Sequence, residues 1–312
     1  MNGSVLHRKH GKIPRSRSDI VFDSLNMTLT LILGLVLVYP LYFIVIASVS
    51  DPFAVYYGKV VLAPSGFTLD AYKNVFRYDD VWVGYRNTIL YTAGGTLYSL
   101  LLTIPAAYVL SRRDLPLKTL ISWYFFITMY FSGGMVPTYL LYKDLSLINT
   151  RWALIIGPGV SCYNLIVCRT YFSSSLPEEI HEAAIIDGAN EFRFFVQMVL
   201  PLSSAIIAVM ALFHGVFHWN SYFRAMIYIT KKNLYPLQLV LRNILILNQL
   251  ATSGASQSLT DVELMAEAAH QAYMANSMKY SLIIVSTLPL LVAYPFVQKF
   301  FVTGIMIGSV KG

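Results

Sequence analysis

The chain has 312 residues, of which 56% are hydrophobic and only 12% are charged. A soluble globular domain carries about a quarter charged residues, so this composition excludes an ordinary soluble protein and indicates one that crosses a membrane several times. The net charge of +7 does not imply a nucleic-acid partner, because lysine and arginine at the ends of membrane spans account for much of it.

Apolar stretches of roughly 20 residues are long enough to cross a bilayer as helices, and the chain contains six of them. We therefore predict an all-α fold, a polytopic membrane protein with six transmembrane helices. Tyr39-Pro40 predicts a kink inside the first span, and Ser132-Gly133-Gly134 predicts a kink or break in the third. In chain order the spans cover residues 26–49, 86–110, 119–142, 152–172, 202–229 and 278–300.

A positively charged segment, residues 1–25, precedes the first span and predicts that the amino terminus is cytoplasmic. An even number of spans returns the carboxyl-terminal tail, residues 301–312, to the same side. The longest connections, 50–85 and 230–277, then lie outside the cell, and Arg224 is assigned to the outer side as well. Lysine and arginine are spread almost equally over the two sides, so the orientation depends on the first segment and on the basic loop after the second span.

A polar interruption at residues 173–201 predicts two short helices separated by a glycine on the cytoplasmic side. Pro177 is well suited to start the first helix, because it lacks the N–H that would be unpaired there. Gly188 permits a sharp change of direction. Each helix has one face that is mostly small or apolar, which would suit a groove in another protein. These faces comprise Ile180, Ala183, Ala184 and Asp187, followed by Phe192, Phe195, Val196 and Val199.

Part of this interruption resembles the EAA loop of ABC-importer permeases: Glu182-Ala183-Ala184, then Gly188, then Leu200-Pro201. Met198 stands where that pattern usually has isoleucine. In this family the loop couples the permease to a separate ATP-binding subunit, and the chain itself lacks the phosphate-binding loop of an ATPase. The resemblance therefore implies a coupling role for the following residues: Glu182, Ala183, Ala184, Asp187, Gly188, Leu200 and Pro201.

Three further segments are similar to the carbohydrate branch of the family, the MalG-type sugar permeases, and particularly to the LplC/YtcP group: residues 136–141, 147–154 and 301–312. The resemblance implies a type I ABC importer permease in a bacterial cell membrane that carries an oligosaccharide, and it leans toward uronate-containing sugars. Its implied partners are a second, non-identical permease, two ATP-binding subunits and an extracytoplasmic solute-binding protein. Those partners would bind ATP and Mg, with no cofactor in this chain.

Polar side chains within the fourth and fifth spans are candidates for lining a translocation path: Asn164, His214, His218 and Asn220. Polar residues in membrane spans tend to face the interior of the helix bundle. Two histidines at positions i and i+4 could also hold a metal ion, but no third ligand accompanies them in the sequence. We favour a structural role for the pair, with each imidazole hydrogen-bonded to a neighbouring helix, over either alternative.

Other classes of membrane protein fit the sequence less well. No aspartate or glutamate lies at mid-membrane depth in the predicted spans, whereas ion-coupled carriers usually keep an ionisable residue there. This argues against a self-sufficient secondary carrier. No nucleophile and base can be placed in one site, which argues against an enzyme. An ABC permease for an amino acid, a phosphate or a peptide is the nearer alternative to a sugar permease.

Overall fold

The computed structural model describes residues 16–157, 159–252, 278–296 and 298, and all regular structure in these ranges is helical. The elements in chain order are α1 (Arg17–Ser48), α2 (Pro52–Tyr56), α3 (Asp70–Arg77), α4 (Asp79–Ser111), α5 (Lys118–Tyr130), α6 (Met135–Asp144), α7 (Trp152–Ile155), α8 (Cys162–Ser175), α9 (Glu178–Ile186), α10 (Glu191–Phe194), a π-helical segment (Phe195–Val199), α11 (Leu200–Leu202), α12 (Ser204–Trp219), α13 (Tyr222–Tyr228), a 3₁₀ turn (Lys232–Leu234), α14 (Leu237–Thr252) and α15 (Met278–Phe296).

The 33-residue helix α4 is the central helix of the bundle and packs against α7, α8, α12 and α14. Small side chains allow the backbones of neighbouring membrane helices to approach closely. A Cβ built at Gly84 would lie 3.1 Å from Leu237 Cα, at the start of α14. Much of the remaining buried face of α4 is small or hydroxylated: Thr88, Gly95, Ser99, Thr103 and Ala107.

Helix α1 begins at Arg17, well before the predicted residue 26. Ser16 N–H donates a hydrogen bond to Asp19 Oδ2 over 3.0 Å, and this cap accounts for the earlier start. The helix continues through Pro40 and ends at Ser48. Residues 17–42 are exposed in the single chain, so this long apolar helix contributes little to the core that α4 organises.

The third predicted span is broken at its glycine pair, as the sequence predicted. Helices α5 and α6 meet at 110° across a break of four residues. Gly134 precedes α6 with a φ of 84°, a conformation that glycine adopts without the steric cost that a side chain would add. The bent pair fits a broken span or a re-entrant loop.

The prediction of one continuous helix over 152–172 is wrong. Helix α7 ends after a single turn at Ile155, and α8 begins only at Cys162. Gly157 and Gly159 lie between them with φ values of 45° and 60°, in the left-handed region that favours glycine. The segment is mostly apolar, and hydropathy alone does not register the change in backbone direction at Gly157-Pro158-Gly159.

The predicted fifth span, 202–229, is also interrupted. The helical run Glu191–Leu202 meets α12 at 80°, and a second break separates α12 from α13 at Asn220 and Ser221. The last span was predicted over 278–300, and its described part is the continuous helix α15.

Three helices in the described ranges are long and apolar enough to cross a membrane, namely α1, α4 and α15, or up to five spans if each bent pair is one. The count of six spans and the cytoplasmic location of both termini therefore stay predictions. Most of the predicted amino-terminal tail, most of the second outer loop and the whole carboxyl-terminal tail lie outside the described residues.

Candidate functional site

The helical hairpin formed by residues 178–202 is the described counterpart of the polar interruption. Its first helix, α9, ends in a Schellman motif, in which the N–H of Gly188 donates to Ile185 O and the N–H of Ala189 donates to Ala184 O, both over 2.9 Å. Gly188 has a φ of 77°, the left-handed conformation that this motif requires. The layout of helix, glycine break and helix is therefore as predicted.

The second helix begins directly after the turn because Asn190 caps it. Arg193 N–H donates to Asn190 Oδ1 over 2.8 Å, which satisfies one of the unpaired donors at the start of a helix. The π-helical segment and α11 continue the same run, which brings Leu200 and Pro201 to the bend before α12. Leu200 packs against the core of the bundle, whereas Pro201 is exposed.

A buried histidine that the sequence analysis missed holds the two helices of the hairpin together. His181 is 7% exposed, and its Nε2 lies 2.8 Å from Glu191 Oε1 across the turn. The His181 ring also meets Phe194 edge to face at 5.0 Å. Tyr108 Oη on α4 donates to the other carboxylate oxygen of Glu191 over 3.4 Å, so the hairpin is tied to the central helix.

The predicted small-residue face of α9 is divided between two environments. Ala184 is buried in the core of this chain, whereas Glu182, Ala183, Asp187 and Gly188 are exposed. His181 and Ala184, three residues apart, form the inner side, and a sequence pattern does not specify which side of a small-residue helix meets its own chain. We call the exposed set, Glu182, Ala183, Asp187 and Gly188, the hairpin surface.

The second predicted face needs the same correction. Phe192, predicted as part of it, is 76% exposed, whereas Phe194 is only 5% exposed and lies in the core. Val199, also predicted as part of it, is buried within this chain. Ile186, 85% exposed, adds an apolar side chain to the outer side of the turn. A large exposed isoleucine and phenylalanine beside small residues are typical of a surface that another protein covers.

The Glu191 carboxylate should set the rigidity of this hairpin. Replacing Glu191 with Gln keeps its size but removes the charge that faces His181, and we expect a loss of about 1 kcal/mol, because Glu191 itself is largely exposed. Hydrogen exchange of the backbone amides in 178–191 measures this, and we expect faster exchange. Glu179→Gln, an exposed glutamate on the same helix, is the matched control. Equal exchange in the two variants would contradict the role of Glu191.

Inside the bundle, two of the predicted path residues form a contact between helices. Asn164 on α8 and His214 on α12 are both buried, and Asn164 Nδ2 lies 3.4 Å from His214 Nε2. This arrangement agrees with the structural role that we favoured. Asn220, in contrast, is exposed at the break between α12 and α13, so the structure does not bring it together with the other three.

The second histidine leads to a cation that was wrongly assigned to an outer loop. His218 is buried, and Arg224 Nη2 lies 3.3 Å from its Nδ1. Arg224 is part of α13 and is largely buried; its Nη2 also donates to Leu154 O over 3.2 Å, and its guanidinium carbon lies 4.8 Å from the centre of the Phe217 ring. In the described ranges Arg224 Nη1 and His218 Nε2 have no hydrogen-bond partner.

Aromatic side chains lie beside this cation. Tyr142 and Tyr228 stack with ring centres 4.5 Å apart, and Tyr139 stacks on Tyr228 at 6.3 Å. Tyr142 Oη donates to Gly157 O over 3.1 Å. A side chain at Gly157 would overlap the Arg224 guanidinium, so the break between α7 and α8 makes room for the cation. Sequence reasoning missed Arg224 because the break that accommodates it was itself missed.

Within the described residues no group of three His, Cys, Asp or Glu side chains is placed to hold a metal ion. The arrangement instead offers two features: an outward hairpin surface of small residues, and a buried guanidinium close to stacked tyrosines. The first is suited to docking a protein, and the second to interacting with an anionic or ring-shaped solute.

Comparison with known proteins places the chain in a family. No family model matches it. It is 36% identical over 292 residues to the polygalacturonan/rhamnogalacturonan transport system permease protein YtcP of Bacillus subtilis strain 168, which covers 94% of this chain and 99% of that protein. Protein LplC of the same organism is 37% identical over 308 residues, covering 98% and 99%.

A solved structure of a bacterial ABC transporter involved in the import of the acidic polysaccharide alginate is also similar. The match has a TM-score of 0.82 and 31% sequence identity, and it covers 93% of this chain and 100% of that one. Full-length similarity at this level, together with several long apolar helices, identifies the family. The chain belongs to the permease subunits of carbohydrate-importing ABC transporters, which are integral membrane proteins.

Proposed function

We propose that this chain is one of two non-identical permease subunits of an importer for acidic oligosaccharides. It would have six spans, with both termini in the cytoplasm of a bacterial cell. The class of cargo is inferred from two similar proteins: YtcP is named for the transport of polygalacturonan, and the solved relative is involved in the import of an acidic polysaccharide. Polygalacturonan and alginate share one chemical feature, a carboxylate on the sugar ring.

The hairpin surface is the part of the chain that we assign to the ATP-binding subunit. Ala183 and Gly188 permit close approach, and Glu182 and Asp187 provide polar anchors at its edge. The His181–Glu191 contact and the Schellman turn keep this surface in one shape. Leu200 and Pro201 lie where the hairpin joins α12, so a movement of the hairpin would be transmitted to that helix. ATP and Mg would be bound by the partner subunits.

A buried cation without a carboxylate partner is energetically costly, and such residues inside membrane proteins usually have a function. Arg224 therefore supports an acidic cargo. In the described residues it forms no ion pair with a carboxylate. We assign Arg224, together with His218, to the path along which an anionic sugar passes. Asn164 and His214 support the neighbouring helix contact. Asn220, exposed at the break between α12 and α13, stays a predicted path residue.

Gentle affinity purification of the chain from its native membrane tests the assembly. We expect an intact complex whose mass includes a second permease and two ATP-binding subunits, because the hairpin surface is left exposed by this chain alone. Mass spectrometry identifies each subunit. A monomer or homodimer without a nucleotide-binding partner would contradict the proposal and favour a self-sufficient carrier.

The solute-binding protein of the same complex provides the separate test of the cargo. We expect it to bind short oligogalacturonates more tightly than neutral oligosaccharides of equal length, as measured by isothermal titration calorimetry. Tight binding of the neutral sugar alone would contradict the acidic cargo. It would leave the assembly unaffected, so the two parts of the proposal are distinguishable.

A further inference from the structure

A mostly apolar cavity of about 400 Å³ lies where the end of α4 meets α5 and α8. Its wall is formed by three aromatic side chains, Trp123, Phe125 and Phe126, together with aliphatic residues of α8. Two cationic side chains, Lys118 and Arg169, line the same cavity. An apolar space with positive charge in its wall matches a molecule that has a hydrocarbon body and an anionic group.

Both cations keep hydrogen-bond donors available. Lys118 Nζ donates to the carbonyls of Ser111 and Arg112 over 3.0 and 2.7 Å, which uses two of its three N–H groups. Arg169 Nε donates to Leu110 O over 3.1 Å, and in the described part of the chain its two terminal nitrogens have no hydrogen bond. Among those residues neither cation forms an ion pair with a carboxylate.

The electrostatic environment also favours an anion at this point. Arg169 and Arg113 both repel the Lys118 ammonium group, and Asp114 attracts it more weakly than either of them repels it, so an anion between Lys118 and Arg169 would relieve the remaining repulsion. Ser122 Oγ lines the same cavity and is buried without a hydrogen-bond partner in the ranges that the structure describes. It is a further group that a polar ligand atom would satisfy.

The cavity also lies at a suitable depth in the membrane. Lys118 is the first residue of α5 and follows the polar loop after α4, so the charged end is at the membrane boundary. Trp123 and Phe126 follow one and two turns further along α5, toward the apolar interior. Basic pockets between transmembrane helices are a known mode of anionic lipid recognition, and tryptophan is enriched at this level.

We propose that this cavity binds an anionic phospholipid, with the phosphate between Lys118 and Arg169 and an acyl chain along Trp123, Phe125 and Phe126. The free N–H donors of the two cations would bind the phosphate of the headgroup, and the aromatic wall would contact the acyl chain. A free inorganic phosphate would leave most of the cavity unfilled. The site requires only that the chain spans a membrane, so it does not depend on the cargo or on the coupling role of the hairpin.

Native mass spectrometry of the purified complex, with added phosphatidylglycerol or phosphatidylcholine of identical acyl chains, tests the site. We expect the wild-type protein to retain phosphatidylglycerol selectively. The double variant Lys118→Gln/Arg169→Gln should lower that affinity on the order of tenfold, because two contacts to the headgroup are lost. The control Lys143→Gln/Lys232→Gln removes the same charge from two exposed positions elsewhere and should leave it unchanged.

A second variant separates the hydrocarbon contact from the charge. Ile166→Phe fills part of the cavity and keeps both cations and the Ser122 hydroxyl, and it should also reduce phosphatidylglycerol retention; unchanged thermal midpoints show that both variants are folded. Equal retention of the two lipids, or full retention by the double variant, would overturn the proposal. So would displacement of the lipid by inorganic phosphate alone, or a complex in which a second permease occupies the cavity and no lipid is retained.

Discussion

Replacing Gly188 with aspartate should abolish uptake of the cargo while the protein still inserts into the membrane. Gly188 has a φ of 77°, and aspartate is one of the few residues that visits this conformation, so we expect a folding cost of only about 1 kcal/mol. A Cβ at this position would meet no atom of the chain within 4 Å. The added side chain and charge would therefore be felt mainly by the protein that covers the hairpin surface.

The control for this variant is Gly188→Asn, which has nearly the same size and the same tolerance of the left-handed region but no charge. Uptake of labelled cargo measures function, and the amount of ATP-binding subunit that co-purifies measures docking. We expect the aspartate variant to lose both and the asparagine variant to retain part of each. Normal uptake by Gly188→Asp would remove the basis for assigning the hairpin to coupling.

Replacing Gly95 with alanine should destabilise the helix bundle, although it adds only one methyl group. A Cβ at Gly95 would overlap the imidazole ring of His218, and both residues are buried at the contact between α4 and α12. Overpacking of this kind costs about 1 to 3 kcal/mol. We expect a clear fall in the thermal midpoint of the purified protein.

The adjacent glycine provides a matched control. A Cβ at Gly94 would lie 3.6 Å from Ile155, an ordinary van der Waals contact, and alanine is up to about 1 kcal/mol more favourable than glycine in a helix. Gly94→Ala should therefore leave the thermal midpoint equal or higher. Similar falls in the two variants would show that the close approach of α4 and α12 is not what Gly95 permits.

A double variant identifies His218 as the cause. His218→Ala removes the ring that the new methyl group would meet, so Gly95→Ala should cost much less in that background than in the wild type. His218→Ala alone also loses its contact with Arg224 and serves as the reference. Additive losses in the double variant would contradict the direct contact.

Local signals explain what could be predicted from the sequence. Gly133-Gly134 and the hairpin glycine Gly188 are themselves local signals for a change of direction, so the break between α5 and α6 and the turn after α9 were both predicted. The family resemblance was carried by residues around that turn, and full-length similarity to YtcP and LplC confirms it.

Most of the features that were missed depend on contacts between residues that are apart in the chain. The break at Gly157 is the exception, because the run Gly157-Pro158-Gly159 is itself a local signal for a break, which the apolar residues on both sides obscured. Arg224 could be placed only once α13 was known to turn it toward Leu154, seventy residues earlier in the chain. His181 and Glu191 are ten residues apart, and only the turn geometry brings them together. The inner and outer sides of α9 likewise depend on packing.

The π-helical segment between the hairpin and α12 has a consequence for how the hairpin is aimed. A π-helix closes its hydrogen bonds five residues apart, one more than an α-helix, so Phe195–Val199 contains one residue beyond what a regular helix would need. Each residue of an α-helix turns the chain by about 100°. An extra residue in a regular α-helix would rotate everything on one side of it, including α9, by about that angle, whereas the wider π-helical turn takes the residue up locally. The hairpin surface therefore keeps the orientation that a regular helix would give it, and we expect deletion of one residue within Phe195–Val199 to be tolerated better than deletion of one residue within α12.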